Sequence, residues 1–131
     1  MTTGPMAQVL TIQGRLDGMN EYTEACRSHW AKGAAMKRAN QDAVGWAIKA
    51  ARMRPHEGPV RIAYRFYERP AGNGRMRDRS NISGFAVKVI EDALVEAGIL
   101  RDDDWATVLG DSREYFRASG EPRIEVEVSD A

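Results

Sequence analysis

A chain of 131 residues, 43% hydrophobic and 29% charged, has the make-up of one globular domain, residues 1–131, long enough to bury roughly two-thirds of its unfolded surface. Nothing in it reads as a membrane span, and residues 1–8 lack the charged and apolar parts of a signal peptide, so a cytoplasmic location and no membrane partner are expected. One cysteine, Cys26, and two histidines, His29 and His56, exclude an internal disulfide and leave no donor set for a zinc cluster.

Residues 1–7 read as a loose tail. Residues 8–13, QVLTIQ, are rich in β-branched and apolar side chains and end at Gly14, which predicts a strand. After a loop over 14–20, Asn20 is placed to cap a short helix that begins at Glu21, and Cys26 within it is expected to be a buried or half-buried thiol. Over 32–53 the spacing of Met36, Ala39, Ala43, Trp46, Ala47, Ala50 and Met53 is helical, and Pro55, Gly58 and Pro59 stop it. Trp30 and Trp46 are assigned to the core, and Lys37, Arg38, Lys49 and Arg52 to a face that is either solvated or set against phosphates. Residues 60–67 alternate, with Val60, Ile62, Tyr64 and Phe66 on one side and Arg61, Ala63, Arg65 and Tyr67 on the other, as a half-buried strand does. Glu68 ends it.

A basic loop over 69–77 follows, with Arg69, Arg75 and Arg77 around Gly72, Asn73 and Gly74, and Arg79 just beyond. It lacks the Lys-Ser/Thr of a phosphate-binding P-loop. Residues 81–97 then hold Ile82, Phe85, Ala86, Val89, Ile90, Ala93, Leu94 and Ala97 on one face without a break, so they predict an amphipathic helix. Asn81, Lys88 and Asp92 fall within about 40° of one another on its other side. Ser80 or Asn81 serves as the expected N-cap, and Gly98 as the left-handed residue past the end. Residues 105–109 are expected to form a short strand, 110–120 a loop carrying Tyr115 and Phe116, and 123–128 a strand with Ile124, Val126 and Val128 inward. The order strand, helix, helix, strand, helix, strand, strand predicts an α/β (α+β) fold, a two-layer sandwich of a mixed sheet covered on one side by helices. Charge is uneven along it: residues 1–60 hold 8 Lys/Arg against 5 Asp/Glu, 61–90 hold 7 against 2, and 91–131 hold 4 against 12. A basic middle and an acidic end suit a protein that grips a phosphate backbone beside a collection of carboxylates, although a lopsided solvated surface gives the same counts.

The central helix and its flanks also carry a likeness. Asp78 and Asn81, Lys88 and Asp92, Ala97-Gly98, Asp102-Asp103 and Trp105, with Gly14, Leu16, Asn20-Glu21-Tyr22, Arg27, Ala35-Met36-Lys37 and Pro122-Arg123-Ile124-Glu125-Val126, resemble the RusA family of Holliday-junction resolvases, its phage and prophage branch above all. The resemblance implies a homodimeric, magnesium-dependent endonuclease acting on branched DNA. It makes Asp78 and Asp103 metal-binding carboxylates with Asp102 beside them, and Lys88 a basic residue near the scissile phosphate. Asn81 and Asp92 are supporting members, and Arg69, Arg75, Arg77, Arg79 and Lys88 the expected DNA contacts.

One departure bears on activity. The family pattern has an aspartate immediately before the asparagine, where this chain has Ser80, which holds a water or caps a helix but cannot offset divalent charge. Either Glu68, Asp92 or Asp104 supplies that charge, or the chain binds junctions without cutting them. A straight helix also sets Asp78 roughly 25 Å from the aspartates at 102–104. One ion is then shared only if the chain folds back after Gly98 or if two subunits combine their ends.

Overall fold

The structure, a computed structural model, describes residues 6–110 and 113–131. The elements within them are β1 (Ala7–Gln13), α1 (Met19–Ser28), α2 (Trp30–Ala50), β2 (Val60–Glu68), α3 (Arg79–Glu96), β3 (Arg113–Ala118) and β4 (Arg123–Asp130). The strands form one sheet in the order β1-β4-β2-β3, with β4 antiparallel to both β1 and β2, and β3 parallel to β2. Alternation along β1, β2 and β4 turns Leu10, Ile12, Ile62, Tyr64, Phe66, Ile124, Val126 and Val128 to one face, where each is 3% exposed or less. The helices cover that face, giving the mixed α+β sandwich. The opposite face carries polar side chains, where Arg65 meets Glu125 and Glu127 at 3.1 and 3.3 Å and the Arg123 guanidinium lies 3.8 Å over the Tyr67 ring.

The apolar stripe of α3 is buried as its spacing requires, from Ile82 and Phe85 through Val89, Ile90, Ala93 and Leu94, while Ala97, the C-cap, is exposed. The helix starts earlier than its apolar pattern, because Asp78 rather than Ser80 or Asn81 is the N-cap. The side chain of Asn81 instead reaches α1: its Oδ1 accepts from the Asn20 amide at 2.7 Å. That contact demands a glycine at 18, since a Cβ there would lie 2.6 Å from the same oxygen. Gly18, not Asn20, is the N-cap of α1, and its amide donates to Glu21 at 3.0 Å.

Several expectations are corrected. Residues 113–118 form β3 and not part of a loop, and 105–109 form a turn touching the sheet only through a bridge of Val108 to Val60. The strand REYFRA escapes sequence reading because it lies at the sheet edge with only Phe116 half-buried, so it shows no alternation, and its pairing with β2 is a tertiary effect. Trp30 and Trp46 are 77% and 70% exposed rather than in the core, because α2 buries Gly33, Asn40, Val44 and Ile48 instead. Cys26 is exposed. Of the expected N-terminal tail, residues 1–5 lie outside the described residues, the Met6 amide donates to Asp130 at 2.7 Å, and Ala7 opens β1. No helix among the described residues is long and apolar enough to cross a membrane.

Glu68, at the inner face of the last residue of β2, is 6% exposed and receives both arms of Arg77, at 2.8 and 2.6 Å. This bidentate pair fixes the chain immediately before α3. Glu68→Gln leaves the half-buried Arg77 charge with only its longer contact to Glu21, at 3.7 Å, and is expected to lower unfolding free energy by about 3 kcal/mol in urea titration, with the m-value unchanged.

Candidate active site

The N-terminal end of α3 is set by its cap. Asp78 is extended, at φ −63° and ψ 146°, and its carbonyl accepts from the Ile82 amide at 3.0 Å, but its carboxylate makes no cap hydrogen bond. An exposed carboxylate at the positive end of a helix is electrostatically favoured there. Asp78, Arg79, Ser80 and Ser83 from the helix and Glu114 and Phe116 from β3 line a surface cleft of about 560 Å³. Within it the Ser83 hydroxyl donates to the Arg79 carbonyl at 3.1 Å.

Ten residues further along, about 15 Å of helix at 1.5 Å per residue, Lys88 carries the second part of the site. Its Nζ lies 3.0 Å from Asp103 Oδ2 and 3.1 Å from Asp92 Oδ1, and the other Asp92 oxygen is 2.9 Å from Lys37 of α2. Asp103 reaches Lys88 because the chain reverses at the end of α3. Gly98 takes φ +77°, which a residue with a side chain rarely adopts, and the Ile99 amide returns to the Leu94 carbonyl at 2.9 Å. Ile99 and Leu100, 4% and 3% exposed, then pull the strand-bound segment back over the core. The fold-back through 99–101 therefore occurs, and it brings Asp103 to the middle of the helix rather than to Asp78.

A family model described as endodeoxyribonuclease RusA matches residues 19–129. The chain belongs to the RusA endodeoxyribonuclease family. No curated protein matches it. The match spans α1 to β4 and so contains both parts of the site. Membership of the RusA family implies a Holliday-junction endonuclease.

In this RusA-family chain the remaining site residues fall into three groups. Asp102 and Asp104 are exposed, and each uses its carboxylate to shape the turn: Asp102 accepts from the Asp103 amide at 2.7 Å, Asp104 from Thr107 at 2.9 Å. Of the basic loop, Arg77 is held by Glu68 and Arg69 donates to the Gly120 carbonyl, whereas Arg75 and Arg79 are exposed. The loop is closed on itself, with Ala71 and Arg75 bonded at 2.9 Å and the Asn73 side chain accepting from Arg75 at 3.0 Å. Each candidate to replace the charge absent at Ser80 is engaged: Glu68 by Arg77, Asp92 by two lysines, Asp104 by its turn.

Two carboxylates were not singled out from sequence. Glu114 lines the cleft with Asp78, and because β3 was not recognised as a strand, nothing placed it there. Glu91, half-buried on α3, accepts from the Tyr64 hydroxyl at 2.7 Å. Burial pushes the Glu91 carboxyl up; the Tyr64 hydroxyl opposes this, and the nearby Asp103 charge adds to it. Tyr64 is itself pushed well up, by burial first and then by the charges of Glu91 and Glu114. The signal available in sequence was the spacing of Ser80, Ser83, Val87 and Glu91, one helical stripe beside the buried one.

Magnesium takes hard oxygen ligands and is commonly held by one or two carboxylates with substrate phosphate and water completing its shell. No group of three or more His, Cys, Asp or Glu side chains that could hold a metal occurs among the described residues. Asp78 with Glu114 at the start of α3, and Asp102 with Asp103 beside its middle, are two separate pairs, each with the donor chemistry of a partly filled shell, and neither is a full cage among the described residues.

Lys88 holds the Asp103 carboxyl below the usual range, and Asp103 and then Asp92 hold the Lys88 ammonium above its own. A depressed carboxylate contributes stability above its unfolded pKa and loses it as pH falls through the folded value; a raised ammonium contributes below its unfolded pKa and loses it as pH rises through the folded value. The contact is thus intact across neutral pH and opens at both extremes. Lys88→Met is expected to move the Asp103 carboxyl back up towards the ordinary aspartate range, read by NMR titration of the side-chain carbon, and an unmoved Asp103 titration would show that the two do not touch.

Proposed function

We propose that this chain is a magnesium-dependent endonuclease that resolves four-way DNA junctions by paired nicks, as a homodimer acting in DNA recombination and repair. The observation that carries the reading is the Lys88–Asp103 contact, which sets a cation beside carboxylates on an exposed helix flank in a RusA-family chain. Lys88 lies between Asp103 and Asp92, so its ammonium is held in place before any phosphate arrives, and it offsets the charge that grows on the phosphoryl oxygens during cleavage. Within one subunit Asp103 meets the middle of α3 and not Asp78, so in the homodimer Asp78 and Glu114 of one subunit would hold magnesium together with Asp102 and Asp103 of the other, Glu114 supplying the carboxylate that position 80 lacks. When bound, the metal supplies an activated water and further charge neutralisation. Arg75 and Arg79 are the arginines that contact the DNA backbone, whereas Arg77 acts by holding the segment before Asp78. Two opposed nicks at a four-way junction call for two active sites related by a two-fold axis, which a homodimer provides.

A second reading rests on Ser80 and on the engagement of Glu68, Asp92 and Asp104. Without a further carboxylate the chain would bind junctions and leave them whole.

Labelled four-way junction and linear duplex, each with magnesium and with a chelator, separate the two. Paired nicks on the junction alone, with magnesium alone, are expected; Asp103→Asn is expected to lower their rate by about 100-fold or more, while Ser80→Asp raises it. Affinity for the junction falls with salt, with a log–log slope of about 0.9 per phosphate contacted. Salt-sensitive binding with no nicks, restored by Ser80→Asp, would establish the second reading instead.

A further inference from the structure

The most exposed large apolar side chain among the described residues is Trp105, 90% accessible and two positions beyond Asp103. The other two tryptophans differ from it in having company: Trp30 stacks on His29 at 5.6 Å, and Lys49 lies 5.2 Å over the Trp46 ring. An indole left in water forfeits the gain of burial that normally draws it inward.

The mount of Trp105 is rigid. Asp104 caps a single helical turn, its carbonyl accepting from Thr107 and Val108 at 3.1 and 2.9 Å and its carboxylate from Thr107 at 2.9 Å. The far side of that turn is stitched to the sheet, with the Val60 amide on the Thr107 carbonyl at 2.8 Å and the Leu109 amide on the Val60 carbonyl at 2.9 Å. Trp105 is therefore presented outward by a fixed turn, so little backbone freedom is lost when something covers it.

Charge selects the occupant. Asp102 and Asp104, both exposed, lie within the three residues before the indole, while Asp103 between them is paired with Lys88. A phosphate over the ring would be repelled, and so would the same acidic turn of a second copy. A nucleobase is flat, uncharged and stacks on aromatic rings whatever its identity. Two residues of backbone span at most about 7 Å, and DNA rises 3.4 Å per base, so a base within a step or two of the phosphate at Lys88 reaches Trp105. Only where base stacking is broken, as at a branch point, is a base face exposed to be covered.

Resting on the junction-cleaving reading above, the geometry points to Trp105 as the platform that stacks an unstacked base at the branch point, and so tells branched from linear DNA. Trp30→Phe with Trp46→Phe leaves Trp105 as the single tryptophan. In chelator, addition of four-way junction is expected to quench its emission and shield it from acrylamide, whereas linear duplex does neither. Trp105→Ala is expected to weaken junction affinity by about tenfold to a hundredfold and leave duplex affinity unchanged, with Trp105→Phe retaining most of it. Circular dichroism of both Trp105 variants should match the parent, since the side chain is 90% accessible. Junction bound, by anisotropy of the labelled DNA, with Trp105 still open to acrylamide would overturn the inference and leave the nuclease reading standing. Shielding that follows protein concentration without DNA would assign the residue to a contact between copies and overturn it equally. Absence of junction binding altogether would remove both.

Discussion

The burial of one side of α3 against the sheet constrains everything else in the site. Eight of its residues are buried, and their spacing admits a single rotation of the helix on the strands beneath. Once that rotation is fixed, Lys88 must stand on the solvent flank, Asp92 one turn on must lie beside it, and the stripe through Ser80, Ser83 and Glu91 must face the β3 edge. The same packing holds the two ends. Arg77 in the grip of Glu68 fixes where the helix begins, and Gly98 with the buried pair Ile99 and Leu100 fixes how the chain leaves it. The functional side chains contribute almost nothing to this core. They are carried by it.

The electrostatics follow from that placement. A lysine between two carboxylates stays charged throughout the neutral range, and a carboxylate against a lysine stays ionised, so the exposed flank keeps its charges whatever the local pH within ordinary limits. Glu91 takes the opposite direction because it is half-buried behind the flank and faces Tyr64. One helix thereby presents a fixed cation, fixed anions and a carboxyl that holds its proton more tightly, within a single turn.

The helix and three of the strands were legible because their apolar residues repeat at the period of the element that buries them. What stayed hidden depended on tertiary position. β3 is an edge strand whose side chains mostly face water, so its sequence carries no period, and with it the contribution of Glu114 to the cleft was hidden. Trp46 lies two residues from both Val44 and Ile48, on the opposite side of α2 from the residues it buries, because spacing gives the faces of a helix but not which face is chosen. Lys88, Asp92 and Asp103 were marked by the family resemblance, not by composition, and their meeting rests on a reversal that only the packing of Ile99 and Leu100 explains. Arg77 shows the converse: a basic loop suggested a DNA contact, and the structure commits that side chain to Glu68.

The claim at the centre is that Lys88 and Asp103, fifteen residues apart in sequence and in contact in the fold, act as one unit on the scissile phosphate. A double-mutant cycle on junction cleavage measures this directly, using Lys88→Met, Asp103→Asn and the two together. Residues that act as a unit are strongly non-additive, so the double variant should lose no more rate than the worse single one. Losses that multiply, each change costing the same in the presence and absence of the other, would show that the two side chains work independently and would contradict the account.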